Sequence, residues 1–134
     1  MNFMTDTANT RVADAYAKCR DGDIQGAMAD YAAASSLYEL AGNAAGQAHC
    51  LRHLGDILRE AGRGTEAELV LRAAEALYRT LDDPLGLANT LRPLALLHGD
   101  SALAFELWRE ARDLYRKVGV DAGVAEAERH LGDR

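Results

Sequence analysis

Ser36-Leu37-Tyr38, Ala76-Leu77-Tyr78 and Asp113-Leu114-Tyr115 decide the architecture, because each introduces the same pair of small residues at the same distance. Every one of these tyrosines is followed after eight residues by a glycine (Gly46, Gly86, Gly123) and after ten by an alanine (Ala48, Ala88, Ala125). The copies are offset by 40 residues from Tyr38 to Tyr78 and by 37 from Tyr78 to Tyr115. A period in that range belongs to stacked helical repeats, whose units bury their apolar faces only against neighbouring units.

Each copy resolves into two helices. Ala48, Leu51, Leu54, Gly55 and Leu58 recur at steps of three and four, the spacing of one helical face, and Gly62 and Gly64 break the run. Thr65 and Glu68 have the spacing of a capping box for the next helix, along which Ala67, Leu71, Ala74, Leu77 and Tyr78 continue the stripe. That helix is expected to end at Leu81-Asp82-Asp83, with Pro84 opening its successor. Ala27, Tyr31, Ala34, Leu37 and Tyr38 repeat the second-helix pattern, as do Ala104, Trp108, Ala111, Leu114 and Tyr115. The shortfall of three residues in the last copy falls before Gly99-Asp100-Ser101, so the helix carrying Leu91, Leu94 and Ala95 should be about one turn short. Val12, Ala15, Tyr16 and Cys19 mark an N-terminal helix, roughly Asp6 to Arg20, one position out of register. A last helix from Asp121 to about Asp133 lacks a second partner and reads as a cap whose outer side carries Glu126, Glu128, Arg129, His130 and Asp133.

Composition bounds the function classes. The chain has 134 residues, 49% hydrophobic and 27% charged, enough to bury one core. No apolar run reaches the roughly 18 residues of a membrane span, and Met1-Asn2-Phe3-Met4-Thr5-Asp6 is unlike a secretory signal. Cys19 and Cys50 have no paired-motif spacing, which fits reduced thiols and a cytoplasmic setting. A net charge of −6 argues against a general nucleic-acid surface.

These residues together resemble the tetratricopeptide repeat (TPR) family. Leu51, Leu54-Gly55 and Leu58 fit its first helix; Ala67-Leu71-Ala74, Ala27-Tyr31-Ala34 and Ala104-Trp108-Ala111 fit its second. The match runs from about Thr10 to the C-terminus and is closest to the branch with periods beyond the usual ~34 residues. Ala95 departs from the family's glycine, and the first copy has no Leu-Gly pair. HEAT and armadillo repeats share the longer period, but the small-residue pattern favours the tetratricopeptide form. The resemblance implies an all-α fold: a right-handed α-solenoid of antiparallel helix pairs, seven helices in all. Repeats are expected at about 6–44, 45–83 and 84–120 within a single domain, with a capping helix at about 121–133. It also implies that first helices line an inner groove holding a partner segment.

The surface pattern most suited to such a groove is a row of arginines. Arg52 and Arg92 follow the core positions Leu51 and Leu91, and Arg129 holds the matching place in the last helix. His49 and His53 flank Arg52, Asn89 precedes Arg92 by a turn, and His130 follows Arg129. Guanidinium groups donate paired hydrogen bonds to carboxylates, so the row fits an acidic peptide or protein. The competing reading is a solvated face in which Asp56, Glu60 and Glu126 neutralise the arginines. The Lys and Asn positions of the chaperone-tail clamp found in some family members are missing.

His49 and His53, spaced i, i+4, supply only half a zinc shell, and no metal or cofactor is expected. Gly62-Arg63-Gly64-Thr65 lacks the Lys-Ser/Thr end of a phosphate loop, and Asp21-Gly22-Asp23 lacks the remaining ligands of a calcium loop. Trp108 and the three tyrosines lie at core spacing, and Pro93 is expected to bend its helix, either as a tolerated kink or to shape the groove. No nucleophile, base and orienting carboxylate come together, so no catalytic residue and no enzyme activity is expected. The expected function is a cytoplasmic adaptor or scaffold that binds a protein segment through Arg52, Arg92, Arg129, His49, His53, Asn89 and Asp56. The alternative is a homodimer formed through the N-terminal helix, using Phe3, Met4, Val12 and Tyr16.

Overall fold

A computed structural model describes residues 2–132, which are all-α, with seven helices and no strand among them. They are α1 (Phe3–Arg20), α2 (Ile24–Leu40), α3 (Ala44–Glu60), α4 (Gly64–Leu81), α5 (Pro84–Leu97), α6 (Ala102–Val118) and α7 (Asp121–Leu131). Asp133, expected on the outer side of the last helix, lies outside the described residues. Packing groups the chain into two units, Met1–Leu77 and Tyr78–Arg134. In the first, α2 packs on α1 and α3; in the second, α6 packs on α5 and α7.

The tyrosine-to-glycine spacing has a direct physical meaning. Tyr38, Tyr78 and Tyr115 are each 6% exposed or less, and each ring lies against the glycine eight residues on. A β-carbon placed on Gly46, Gly86 or Gly123 would come closer than 3.0 Å to the ring of Tyr38, Tyr78 or Tyr115 respectively. Real β-carbons do not approach so closely, so only glycine lets the next helix seat against the ring. The leucine before each tyrosine is only partly buried. A similarly close approach joins α3 to α4, where Gly55 faces the Leu71 side chain.

Caps fix where these helices begin. Asp23, Asn43 and Asp83 each accept a hydrogen bond from the backbone N–H of the glycine three residues later, at 2.9–3.0 Å. Pro84 opens α5, as its fixed φ favours. Two boundaries differ from the sequence expectation. α1 starts at Phe3 rather than Asp6, because Asn2 accepts from the N–H groups of Met4 and Thr5. α4 starts at Gly64, with the Arg63 carbonyl accepting the Ala67 N–H, so Thr65 is already inside the helix rather than capping it. α5 has 14 residues against 17 in α3, the expected loss of about a turn. In α7 the buried positions are Ala127 and Leu131, while Ala125 of the sequence ruler is exposed.

The register of α1 follows from a buried charge. Asp30 on α2 is 2% exposed and accepts from Arg11 Nη1 at 2.8 Å and Lys18 Nζ at 2.6 Å, seven residues apart on α1. Alongside these cations, Ala8, Ala15 and the partly buried Val12 and Cys19 face the core, and Tyr16 turns outward at 60% exposure. Of the apolar residues that mark α1 in the sequence, Tyr16 is thus the one that leaves the core-facing side.

Two measurements test these contacts. Gly86→Ala, a change that ordinarily stabilises a helix interior, is expected to lower stability by about 1–3 kcal/mol through overpacking against Tyr78, read as a Tm several degrees lower; an unchanged or higher Tm would contradict the ring-on-glycine account. Lys18 and Arg11 hold the Asp30 carboxyl below its ordinary pKa, so its contribution is present above the unfolded value and is lost as pH falls through the folded one. Asp30→Asn is expected to cost about 1–2 kcal/mol at neutral pH, since both cations are half-exposed, and to flatten the loss of stability below about pH 4. Urea melts across that pH range measure both effects.

Candidate functional site

Each of α3, α5 and α7 carries a polar residue eleven places after its ruler tyrosine, an arginine at fourteen, and a ring at fifteen. In α3 these are His49, Arg52 and His53; in α5, Asn89, Arg92 and Pro93; in α7, Glu126, Arg129 and His130. Equal register does not give them equal surroundings.

In the second unit the arginine of α5 is neutralised. Arg92 donates from Nε to Glu126 Oε1 at 2.5 Å and from Nη2 to Oε2 at 3.0 Å, a two-pronged pair joining α5 to α7. The Arg92 hydrogen bond, with the charges of Arg92, His130 and Arg129 adding to it, holds the Glu126 carboxyl below the usual range. Asn89, expected beside the groove, instead accepts a 2.7 Å hydrogen bond from the hydroxyl of buried Tyr115. Tyr38 makes the equivalent hydrogen bond to Asn9 of α1. Arg129 stays exposed, and His130 stacks on Trp108 with ring centres 4.2 Å apart and planes within 4°. Pro93 points into the core rather than at a groove, among the fully buried side chains with Leu91 and Leu94.

In the first unit the arginine of α3 is not neutralised. Asp56, expected to serve Arg52, is held by Arg59 through hydrogen bonds of 3.0 and 2.7 Å, and Glu60 Oε1 lies 3.5 Å from Arg59 Nη2. Among the described residues no carboxylate pairs with Arg52. Its Nη2 stands 3.3 Å from His53 Nε2, and its Nε–H is buried without a hydrogen-bond partner. An orphaned polar hydrogen costs free energy that a ligand oxygen would recover. His53 stacks on buried Tyr31 (5.4 Å, 8°) and meets His49 edge-on at 4.4 Å. Burial, followed by the nearby Arg52 charge, lowers both histidines, His53 to about 4. Both are therefore neutral at pH 7, which leaves Arg52 as the cation of this cluster.

Sequence reasoning places seven residues on one functional face; the structure brings His49, Arg52 and His53 together and turns Asn89, Asp56 and Arg92 toward partners of their own. The stacking of Tyr31 on His53 and of Trp108 on His130 has no counterpart among the sequence expectations, although both pairs have the same 22-residue separation. No third His, Cys, Asp or Glu joins the histidine pair in a group placed to hold a metal, among the described residues. Burial raises the Cys50 thiol to about 11, so it carries no thiolate at neutral pH. Apart from this cluster, an apolar cleft of about 440 Å³ opens between α2, α3 and α4, lined by Met28, Leu54, Leu58, Leu69 and Val70. Among the described residues no helix is long and apolar enough to cross a membrane.

No protein-family model matches the chain, and no curated protein matches it significantly.

The stack over the single tryptophan is directly measurable. Removing the ring in His130→Ala is expected to expose one face of Trp108, now 1% exposed, giving a red-shifted emission and increased quenching by acrylamide. Unchanged emission and quenching would mean that the imidazole does not shield the indole.

Proposed function

We propose that this chain is a tetratricopeptide-like interaction module that holds an acidic segment of a partner protein, with Arg52 as the principal contact. The observation that carries the reading is the uncompensated guanidinium of Arg52, partly buried with an orphaned Nε–H between two neutral imidazoles. A carboxylate there gains a charge-assisted hydrogen bond and satisfies a group that is otherwise left without a partner. The repeat of helix pairs supports the resemblance, and the scaffold and cytoplasmic roles belong to that same reading. Arg92 contributes by bracing α5 against α7, and Arg129 adds an exposed positive charge on α7.

A second reading, self-association, is favoured by Phe3 at 82% and Tyr16 at 60% exposure on α1. Val12, packed against the core, does not take part. Light scattering at high concentration decides it, since a strict monomer excludes a dimer through α1.

Binding of an oligo-glutamate peptide, followed by fluorescence anisotropy at neutral pH, tests the first reading. Arg52→Ala is expected to weaken the complex at least tenfold, about 1.4 kcal/mol, with helicity and Tm nearly unchanged. Arg92→Ala should act mainly on stability, because it leaves Glu126 without its partner. Equal affinity of Arg52→Ala and the native chain would remove Arg52 from the site.

A further inference from the structure

The geometry points to a proton-gated anion site: His53 masks Arg52 while neutral and, on taking a proton as an anion arrives, releases Arg52 and becomes the anion's second cation. The inference rests on the interaction-module reading for its biological ligand, an acidic side chain, but the site itself is testable with a simple oxyanion.

A guanidinium has hydrogens to donate and no lone pair to accept with. Its 3.3 Å contact to His53 Nε2 therefore requires that nitrogen to be the acceptor, which fixes a neutral imidazole with its proton on Nδ1. At that length the bond is weak and easily exchanged for a better one. Protonation of Nε2 converts the acceptor into a donor, and the Nη2–H and Nε2–H groups then repel each other unless an oxygen lies between them. An incoming oxyanion supplies that oxygen, accepting from His53 Nε2–H and from the released Nη2, with the orphaned Nε–H as a third donor from the same side chain. The proton comes from solvent and is returned on dissociation, so charge balances at each step.

The surroundings make the exchange conditional. The titratable and charged groups about His53 are Arg52, His49 and Asp56 on α3, with Tyr31 of α2 stacked beneath it and Cys19 and Tyr16 of α1 and Cys50 of α3 around Tyr31. Asp56, which favours protonation, is engaged by Arg59; burial, Arg52 and His49 all oppose it. In the empty site the imidazole is consequently neutral down to about pH 4. An anion at hydrogen-bond distance reverses the balance and raises the pKa by about one to three units. Since the bound form has the higher pKa, affinity is flat above that value, climbs as pH falls, and levels off below about 4.

Sulfate is the probe, because it keeps its charge across this range. Histidine NMR titrations of the full chain in sodium sulfate and in sodium chloride, at matched ionic strength, are expected to show the His53 pKa at least one unit higher in sulfate. Sulfate affinity should increase about two- to seventyfold from pH 7.5 to pH 5. His53→Gln keeps an acceptor for Arg52 but cannot titrate, so it should bind sulfate equally at both pH values; Arg52→Ala should bind none. Equal His53 pKa values in the two salts, a reading that needs no variant, would overturn the inference, as would a pH dependence that persists in His53→Gln. Failure of the broader reading looks different: sulfate behaves as described while oligo-glutamate at pH 7.5 does not bind. Arg52-dependent peptide binding with no sulfate effect on His53 retains the module and rejects the proton gate.

Discussion

A tyrosine ring lying against a glycine is the contact on which the rest of this structure depends. Each buried ring contributes roughly 2–3 kcal/mol by leaving water, but its larger effect is to set how closely the next helix approaches. Tyr38 shows the full arrangement in the first unit: it grows from α2, seats Gly46 of α3 against its face, and gives its hydroxyl hydrogen to Asn9 of α1. Tyr115 does the same for α6, Gly123 of α7 and Asn89 of α5. One side chain thus positions three helices, and the polar tip of a buried aromatic finds the partner that burial demands. Where the helix begins is set alongside, for the side-chain caps Asn43 and Asp83 bond the N–H of the very glycines on which the rings rest. Val120 lacks such a side chain, and α7 starts without that bond.

The electrostatics divide between charges that hold the fold and others, Arg52 among them, that do not. Asp30, Glu126 and Asp56 are all drawn to nearby cations, and each fixes an element or a turn. Arg52 stands apart from this pattern. Its neighbours are imidazoles that burial keeps uncharged, and a stack on Tyr31 keeps His53 in place. A partly buried cation with no carboxylate beside it and one unpartnered N–H is costly to maintain.

Much of this is legible in the sequence, and the limits have physical causes. Period, helix order and the short α5 are all visible, because side-chain periodicity and glycine placement are local properties. The ring-on-glycine contact is visible only as a spacing; that two residues recur eight apart does not say that they touch. The arginine row rests on register alone, and register cannot see across helices. Arg92 and Glu126 are 34 residues apart, and nothing local to either announces their pairing. Asn89 looks like a surface donor because the hydroxyl it serves lies 26 residues away on Tyr115. Asp30 has no signal at all: a carboxylate between Ala27 and Tyr31 reads as an exposed position until α1 brings Arg11 and Lys18 to it. Tyr16 shares the helical spacing of Val12, Ala15 and Cys19, so spacing alone does not separate it from them; the Asp30 contacts set the rotation of α1 that leaves it facing out.

The position of the tyrosine–glycine contact also determines which cuts in the chain preserve it. Each pair straddles the junction between an even helix and the odd helix after it, so the contact lies between hairpins counted from the first helix of a repeat rather than within one. A cut at Gly42 separates Tyr38 from Gly46, whereas one at Gly62 leaves Tyr38 with Gly46 and Tyr78 with Gly86. For duplication, deletion or grafting, a boundary between an odd helix and the next even helix keeps each ring with its glycine, whereas one placed after an even helix parts them.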